Sequence, residues 1–290
     1  MPARSREAAD FQTLRVMTDR LVVTILGCGS SGGVPRLGGP DGKGDWGACD
    51  PANPRNRRWR CSILVQRQSD TGTTSVLVDT SPDLREQLLA VGVSHLDGVV
   101  ITHDHADQLH GIDDLRLVFH AMHRRVDVYS DRTTLEGVVA RFRYCFETPE
   151  GSIYPPILNP HVIAEPFAAF SISGPGGAVP VRAFPQEHGE IRSLGLRFGP
   201  IAYSSDVNGL PDEAFATLEG VKCWVLDALR YTPHPTHANV DTALSWIGRV
   251  NPRHAVLTNL HLDLDYEALK GKLPKNVEPA YDGLVIRAGL

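Results

Sequence analysis

One stretch of the sequence, Ile-Thr-His-Asp-His-Ala-Asp-Gln-Leu-His-Gly at residues 101–111, concentrates potential metal ligands directly after an apolar run. Residues two apart on an extended segment point the same way, so His103 and His105 can face one ion. Asp107 and Gln108 follow where a helix is predicted to begin, which turns them towards the same place. Imidazole and carboxylate groups are common ligands of divalent metals. The spacing therefore predicts a metal-binding turn in which Asp107 also has a catalytic role.

A βαβ unit is predicted to position this turn. Residues 96–101 are short, apolar and β-branched, so the histidines fall at the C-terminal end of a buried strand, where α/β sheets place their chemistry. An earlier strand, residues 75–78, ends at Asp79, and Pro82 then opens a helix. We expect Asp79 either to cap that helix or to support the histidine turn from behind, assisting catalysis.

Four further polar residues stand at the ends of later predicted strands. A single residue at such a position is more often a cap or a surface residue than a ligand. Repetition at successive strand ends favours a shared site, because α/β sheets place their chemistry there. The four residues are His188, Asp206, Asp227 and His261.

Length and composition indicate an ordinary globular α/β protein. The chain has 290 residues, of which 42% are hydrophobic and 22% charged, and its formal net charge is −5. We predict a poorly ordered extension over residues 1–20 and one domain over residues 21–290. The acidic balance favours neither a stable nucleic acid partner nor binding to an anionic membrane.

The five cysteines are scattered and never spaced as Cys-x-x-Cys, so no disulfide framework is expected. Such a chain fits a reducing compartment. The sequence shows neither a signal peptide nor an apolar run long enough to cross a bilayer. The predicted location is therefore the cytoplasm.

An arginine-rich segment precedes the second predicted strand. Arg55, Arg57, Arg58 and Arg60 crowd together in an otherwise acidic protein. Guanidinium groups match phosphate geometry, so the segment predicts an anion site, with Arg230 as a further candidate. A solvated charged edge of the next strand is an equally good interpretation.

These residues, in this order, resemble the metallo-β-lactamase superfamily, from about residue 21 to the C-terminus. The resemblance implies a four-layer αβ/βα sandwich, formed by a single domain, with a dinuclear metal site between its two sheets. It also implies the roles of the matching residues. They are the signature at His103, His105 and Asp107, the strand-end Asp79, the metal ligand His188, the bridging Asp206 and a last ligand near His261.

Two segments resemble the phosphodiesterase branch of that superfamily, which includes tRNase Z and the phosphoribosyl cyclic phosphate phosphodiesterases. The segments are the glycine-rich residues 26–35 and residues 236–244. The resemblance implies that His237 assists proton transfer. His234 is the nearby competitor for this role.

The chain departs from the superfamily pattern at the second metal position. Gln108 stands where the signature has histidine, and Asn259 stands where a histidine usually precedes the last ligand. Either His110 or His261 can replace the missing nitrogen. We predict one or two divalent ions, zinc or manganese, with a second site that is weak or suited to manganese or magnesium. Of the cysteines that a structural zinc cluster needs, only Cys49 remains, so no structural zinc is expected.

The expected function is hydrolysis of a small, cyclic or linear phosphodiester, such as a ribose cyclic phosphate or a nucleotide, by hydroxide generated on the metal. Arg55, Arg57, Arg58 and Arg230 are expected to contact this substrate, and His237 to protonate the leaving group. The alternatives are a hydrolase of a carbonyl substrate, of thioesterase or lactamase type, and a non-catalytic metal-binding scaffold. A homodimer is the default expectation for assembly.

Overall fold

The computed structural model describes residues 19–164 and 169–290. The predicted N-terminal extension, residues 1–20, therefore lies outside the described residues except for its last two. Of these, Asp19 pairs with Arg67, and Arg20 begins the first strand.

The first of two mixed sheets has seven strands, in the order β14-β1-β2-β3-β4-β5-β6. The four strands β3 to β6 run parallel, and the other pairs are antiparallel. The bounds are β1 (Arg20–Gly27), β2 (Ser62–Ser69), β3 (Gly72–Val78), β4 (Gly98–Val100), β5 (Val126–Ser130), β6 (Leu158–Val162) and β14 (Val285–Gly289).

The second sheet also has seven strands, in the order β13-β12-β11-β10-β9-β8-β7. The strands β10 to β13 are parallel, and the antiparallel strands β7, β8 and β9 complete the sheet. The bounds are β7 (Ala169–Ile172), β8 (Val179–His188), β9 (Ile191–Phe198), β10 (Ile201–Ser204), β11 (Cys223–Asp227), β12 (His254–Thr258) and β13 (Val277–Pro279).

Helices cover the outer face of each sheet and complete the four layers. One apolar core lies between the sheets. A second core lies between the first sheet and its helices, and a third lies between the second sheet and its helices. The expected single-domain αβ/βα sandwich is thereby confirmed. The helices are α1 (Leu84–Val91), α2 (Ala106–Leu109), α3 (Leu115–Met122), α4 (Arg132–Arg141) and α5 (Arg143–Phe146) on the first sheet, with α6 (Asp212–Leu218), α7 (Val240–Val250) and α8 (Tyr266–Lys270) on the second.

The helix predicted after the histidine turn is interrupted. Helix α2 ends at Leu109, a 3-10 turn (Ile112–Asp114) follows, and α3 begins only at Leu115. A Cβ on Gly111 would lie 2.0 Å from the Ser81 carbonyl oxygen, so the chain passes this point in close backbone contact. The interruption keeps α2 to a single short turn beside the histidines.

The proline-rich residues 148–160 do not cover the predicted site. Their last residues enter β6, an edge strand of the first sheet. The preceding part borders a cavity of about 450 Å³ against α3 and α5, and Ile153 and Tyr154 are exposed there.

The five cysteines are all buried and free of disulfides. Across the described ranges, no helix combines the length and the apolar character needed to cross a membrane.

Candidate active site

Three imidazoles and one carboxylate converge where strands of both sheets end. One candidate ligand atom from each of His103, His105, His188 and Asp206 lies within 4.8 Å of the others. The three rings have centroids 4.7 to 5.2 Å apart. His103 and His105 come from the turn after β4, whereas His188 ends β8 and Asp206 follows β10. The predicted first metal site is thus assembled from both sheets.

The ring of His188 is oriented by the backbone. Its Nδ1 lies 2.6 Å from the Thr236 carbonyl oxygen, so Nδ1 carries the proton and donates it. The lone pair is therefore on Nε2, which lies 3.2 Å from Nδ1 of His105. Burial lowers the pKa of His188 to about 4, with the charge of His237 adding to the effect. A neutral imidazole with its free nitrogen inward is the form that binds a metal.

The ring of His103 is oriented by side chains behind it, those of Thr102 and Asp79. Asp79 is fully buried and accepts from the Thr102 amide at 2.7 Å and from the Thr102 hydroxyl at 2.9 Å. That hydroxyl lies 3.0 Å from Nδ1 of His103. Burial raises the pKa of Asp79 to about 8, against the opposing effect of these hydrogen bonds. Asp79 thus takes the second of its two predicted places, behind the histidine turn.

The donor atoms fit a divalent ion. Nε2 of His103 is buried and has no hydrogen-bond partner among the described residues. It lies 3.6 Å from Oδ2 of Asp206, and Nε2 of His188 lies 3.8 Å from the same oxygen. Ligands at 2.0 to 2.1 Å from a tetrahedral ion are about 3.3 Å apart. Ring nitrogens and a carboxylate at such distances could hold a cation between them.

The other oxygen of Asp206 faces two amides. Oδ1 accepts from Nε2 of Gln108 at 3.1 Å and from Nδ2 of Asn259 at 3.3 Å. Burial raises the pKa of Asp206 well above its usual value, and the charge of Asp107 adds to this. The two departures from the superfamily pattern thus meet on one carboxylate oxygen.

His237 forms a dyad with Asp227 beside the ligand cluster. Its Nδ1 lies 2.8 Å from Oδ2 of Asp227, which is fully buried and also accepts from the Val207 amide. The ring packs edge-on against His188, with centroids 4.7 Å apart. Burial lowers the pKa of His237, but the hydrogen bond and charge of Asp227 outweigh it and raise the pKa to about 9. An imidazolium held by one nitrogen leaves Nε2 to donate a proton.

A second set of basic groups borders this dyad. The rings of His234 and His237 are 5.1 Å apart. Burial lowers the pKa of His234 and of His261, and the nearby charge of Arg230 contributes to both shifts. The charge of Arg36 acts on His261 as well. The charge of Arg230 thus acts on both histidines, while its guanidinium donates to the carbonyls of Thr232 and Pro233. No role was predicted for Arg36.

His261 itself does not join the ligand cluster. Its Nδ1 lies 3.0 Å from a carboxylate oxygen of Asp263 and accepts from the Asp263 amide. His110 is also turned away, with its ring 5.7 Å from that of Phe142. Neither histidine therefore supplies the nitrogen missing at the second metal position. Asp107 lies in the first turn of α2, close enough for its charge to act on Asp206.

The arginine-rich segment does not form the predicted anion site. Arg58 is buried, and its guanidinium donates to the carbonyls of Leu264 at 2.7 Å and His261 at 3.3 Å. Arg60 binds both carboxylate oxygens of Asp83. These groups cross-link loops that carry the site. The prediction that Arg58 contacts substrate is wrong, because a side chain enclosed by backbone carbonyls cannot reach one.

The other two arginines of the segment rest on aromatic rings. Arg55 lies 4.8 Å from the ring centroid of Tyr266 and 3.8 Å from a carboxylate oxygen of Glu267. Arg57 is exposed and stacks 5.1 Å from the ring of Trp46. Their contacts are with the surface of the protein rather than with the histidine cluster.

Two residues at the site had no assigned role in the sequence predictions. Asp227 was noted only as a strand end, although it orients His237. Asn259 was noted only as a departure, although its amide faces Asp206. The available signal was their common position at the ends of neighbouring parallel strands. Asp227 ends β11 and Asn259 directly follows β12, and β10, the other neighbour of β11, leads to Asp206.

Comparison with protein families matches residues 74–259 to the β-lactamase superfamily domain. Among solved structures, the chain is similar to one described as a new diphosphatase from the PhnP family. The two are 33% identical with a TM-score of 0.79, over 92% of this chain and 97% of that chain. The short form of human tRNase Z is 15% identical with a TM-score of 0.60, over 91% of this chain and 98% of that one, a likeness of fold.

A curated relative is the octanoyltransferase of Porphyromonas gingivalis, which is 31% identical over 265 residues. The match covers 90% of this chain and 50% of that protein. The chain thus spans about half the length of this relative.

Proposed function

This chain belongs to the β-lactamase superfamily, and we propose that it is a metal-dependent hydrolase of a small phosphodiester, such as a ribose cyclic phosphate or a nucleotide. The observation that carries the proposal is the His237–Asp227 dyad, whose imidazole packs directly on the metal-binding His188. An alkoxide leaving group needs a proton, and a dyad beside the reacting centre is placed to supply one.

The geometry supports a role for each residue of the site. His103, His105, His188 and Asp206 would hold the ion. A divalent ion bound there supplies a Lewis acid and lowers the pKa of a water molecule to about 7. Hydrolysis forms one phosphorus–oxygen bond to water and breaks another to the leaving alkoxide. His237 gives its Nε2 proton to that alkoxide, and Asp227 stabilises the ring while it is charged.

The substrate is proposed to be small. The chain carries a net charge of −5, and its arginine-rich segment is engaged in internal contacts. The charge of Arg230 acts on His234 and His261, and that of Arg36 acts on His261. Two such cations suit one phosphoryl group rather than a long nucleic acid backbone.

A diphosphate is the second candidate substrate. The solved structure that is 33% identical carries the name diphosphatase, and cleavage of a phosphoanhydride uses the same attack on phosphorus. The name octanoyltransferase describes a protein of which this chain covers only half, so acyl transfer is tested below only as an alternative.

The experiment is a substrate panel on the metal-loaded protein. Bis(p-nitrophenyl) phosphate, a ribose cyclic phosphate, a cyclic nucleotide and a nucleoside diphosphate are compared with an octanoyl thioester and a β-lactam. The proposal expects turnover confined to the phosphorus substrates and reduced in His237→Ala. Preferential turnover of the thioester or the lactam would move the reaction to a carbonyl centre. Absence of turnover with every substrate would favour the metal-binding scaffold.

A further inference from the structure

The two oxygens of Asp206 have different surroundings. Oδ2 faces ring nitrogens with free lone pairs, on His103 and His188. Oδ1 faces the side-chain nitrogens of Gln108 and Asn259, at 3.1 and 3.3 Å. A carboxylate that bridges two metal ions would instead present each oxygen to a cation. Among the described residues, Oδ2 faces ring nitrogens, whereas Oδ1 faces amide nitrogens.

Amide hydrogens can do for Oδ1 what a second cation would do. Asp206 is 2% exposed, and burial of an ionised carboxylate is costly unless its oxygens are hydrogen-bonded or paired with charge. Two N–H groups directed at one oxygen satisfy it without a metal. An ion bound at Oδ1 would have to displace both of them.

The backbone holds both amides in place. The backbone N–H of Gln108 donates to the His105 carbonyl, and the backbone carbonyl of Gln108 accepts from the Thr80 N–H. Asn259 adopts a positive φ of 61°, a conformation that asparagine tolerates better than most residues. Neither side chain reaches Asp206 from a loose loop, so the arrangement belongs to the fold.

The imidazole of His237 also lies beside the Asn259 amide. Nδ2 of Asn259 lies 3.1 Å from Nδ1 of His237. Since that Nδ1 already donates to Asp227 at 2.8 Å, it has no lone pair to offer Asn259. Asp206 is therefore the acceptor for the Asn259 amide.

We infer that this chain binds one divalent ion, and that Gln108 and Asn259 take the place of the second ion of the expected dinuclear site by donating to Asp206. The charge of Asp107 also acts on Asp206. Because Gln108 and Asn259 stand in place of histidines, the second position lacks the nitrogen ligands that hold zinc. The inference rests on the proposed metal site and is independent of the proposed substrate.

The test is metal stoichiometry, measured without substrate. The full chain is stripped with a chelator, dialysed and titrated calorimetrically with zinc and, separately, with manganese. We expect one ion per chain for either metal. Two ions per chain with either metal would overturn the inference, and the manganese arm tests whether the amides coordinate a harder ion through their oxygens.

Variants separate the amides from the rest of the site. Gln108→His combined with Asn259→His should raise the stoichiometry from one to two zinc ions per chain, and Gln108→His alone covers the case in which the double variant fails to fold. Gln68→His, at the far end of β2, is the matched control and should stay at one. A stoichiometry of one in a folded double variant would overturn the inference, because the amides would then not be what excludes the second ion. Failure of the substrate panel would leave these measurements unchanged, so the two proposals fail separately.

Discussion

The histidine turn and the arginine-rich segment are the two conspicuous polar clusters of this sequence, and they have opposite structures. At the turn, Nδ1 of His105 faces Nε2 of His188 across 3.2 Å, and Nε2 of His103 lies 3.6 Å from a carboxylate oxygen of Asp206. In the segment, the guanidinium of Arg58 is enclosed by carbonyl oxygens, and that of Arg60 by a carboxylate.

The polarity of the facing groups distinguishes a binding site from a structural cluster. Groups of opposite polarity satisfy each other and stabilise the loops that contain them. Groups that all offer lone pairs do not, and their convergence is explained by a cation supplied from outside. Both clusters are rich in one residue type, so this abundance does not show which of them binds a ligand.

Removal of one imidazole tests most strongly whether the histidine cluster binds a metal. His188→Ala should weaken metal binding by more than about 100-fold, since even outer partners of metal ligands are worth about 10- to 100-fold. Turnover should fall with metal content. The measurement is the metal dissociation constant by competition with a chelator. His110→Ala is the control, because that ring packs against Phe142 outside the cluster, and weakening of equal size there would refute the assignment.

His237 tests whether the cluster and the dyad are separable. His237→Ala should lower kcat by about 10²- to 10⁴-fold, the usual contribution of general acid–base catalysis, with metal content unchanged. Metal analysis and turnover are measured on the same preparation. His234→Ala, which removes the neighbouring ring, should lower kcat less. Loss of metal in His237→Ala would make it a ligand instead.

Asp282, beside the arginine-rich segment, should make the free energy of unfolding depend on pH. Burial raises the pKa of Asp282, which accepts from the Trp59 amide, from 3.8 to about 7. The folded state therefore keeps a proton that the unfolded state loses. The contribution of this group is fully present below about pH 4 and is lost as pH rises to about 7, at most about 4 kcal/mol.

Urea unfolding at pH 5 and pH 8 measures this effect. In Asp282→Asn the fall in unfolding free energy between the two pH values should be smaller than in the unchanged protein. Equal falls would mean that Asp282 is ionised in the folded state.

Arg58 gives the structural half of the comparison. Arg58→Ala should lower the free energy of unfolding by about 3 kcal/mol, because buried carbonyls lose charged donors worth about 1.5 to 3 kcal/mol each and part of the loss is regained from water. The metal dissociation constant should stay the same. Arg57→Ala, at the exposed neighbour stacked on Trp46, is the control and should change stability by less than about 1 kcal/mol. A change in metal affinity in Arg58→Ala alone would place Arg58 in the site after all.

The fold and half of the site follow from local sequence. Strands are predictable where β-branched runs end in polar residues, and His103, His105, His188 and Asp206 all stand at such ends. Side-chain period then decides which of them face inward. These features need no knowledge of distant partners.

The remainder depends on contacts between distant parts of the chain. Arg58 meets the carbonyl of Leu264, 206 positions away, and nothing local distinguishes it from the exposed Arg57. Gln108 and Asp206 are 98 positions apart, so the meaning of the glutamine appears only once the sheets are packed. The break at Gly111 likewise comes from the close approach of Ser81.

We infer that His103, His105, His188 and Asp206 hold a single ion. A crystal of the zinc-loaded protein, measured at the zinc absorption edge, tests this directly by anomalous scattering. We expect one strong peak bounded by those four side chains. The inference would be contradicted by no peak there, or by a second peak of similar height between Asp206 and the amides of Gln108 and Asn259.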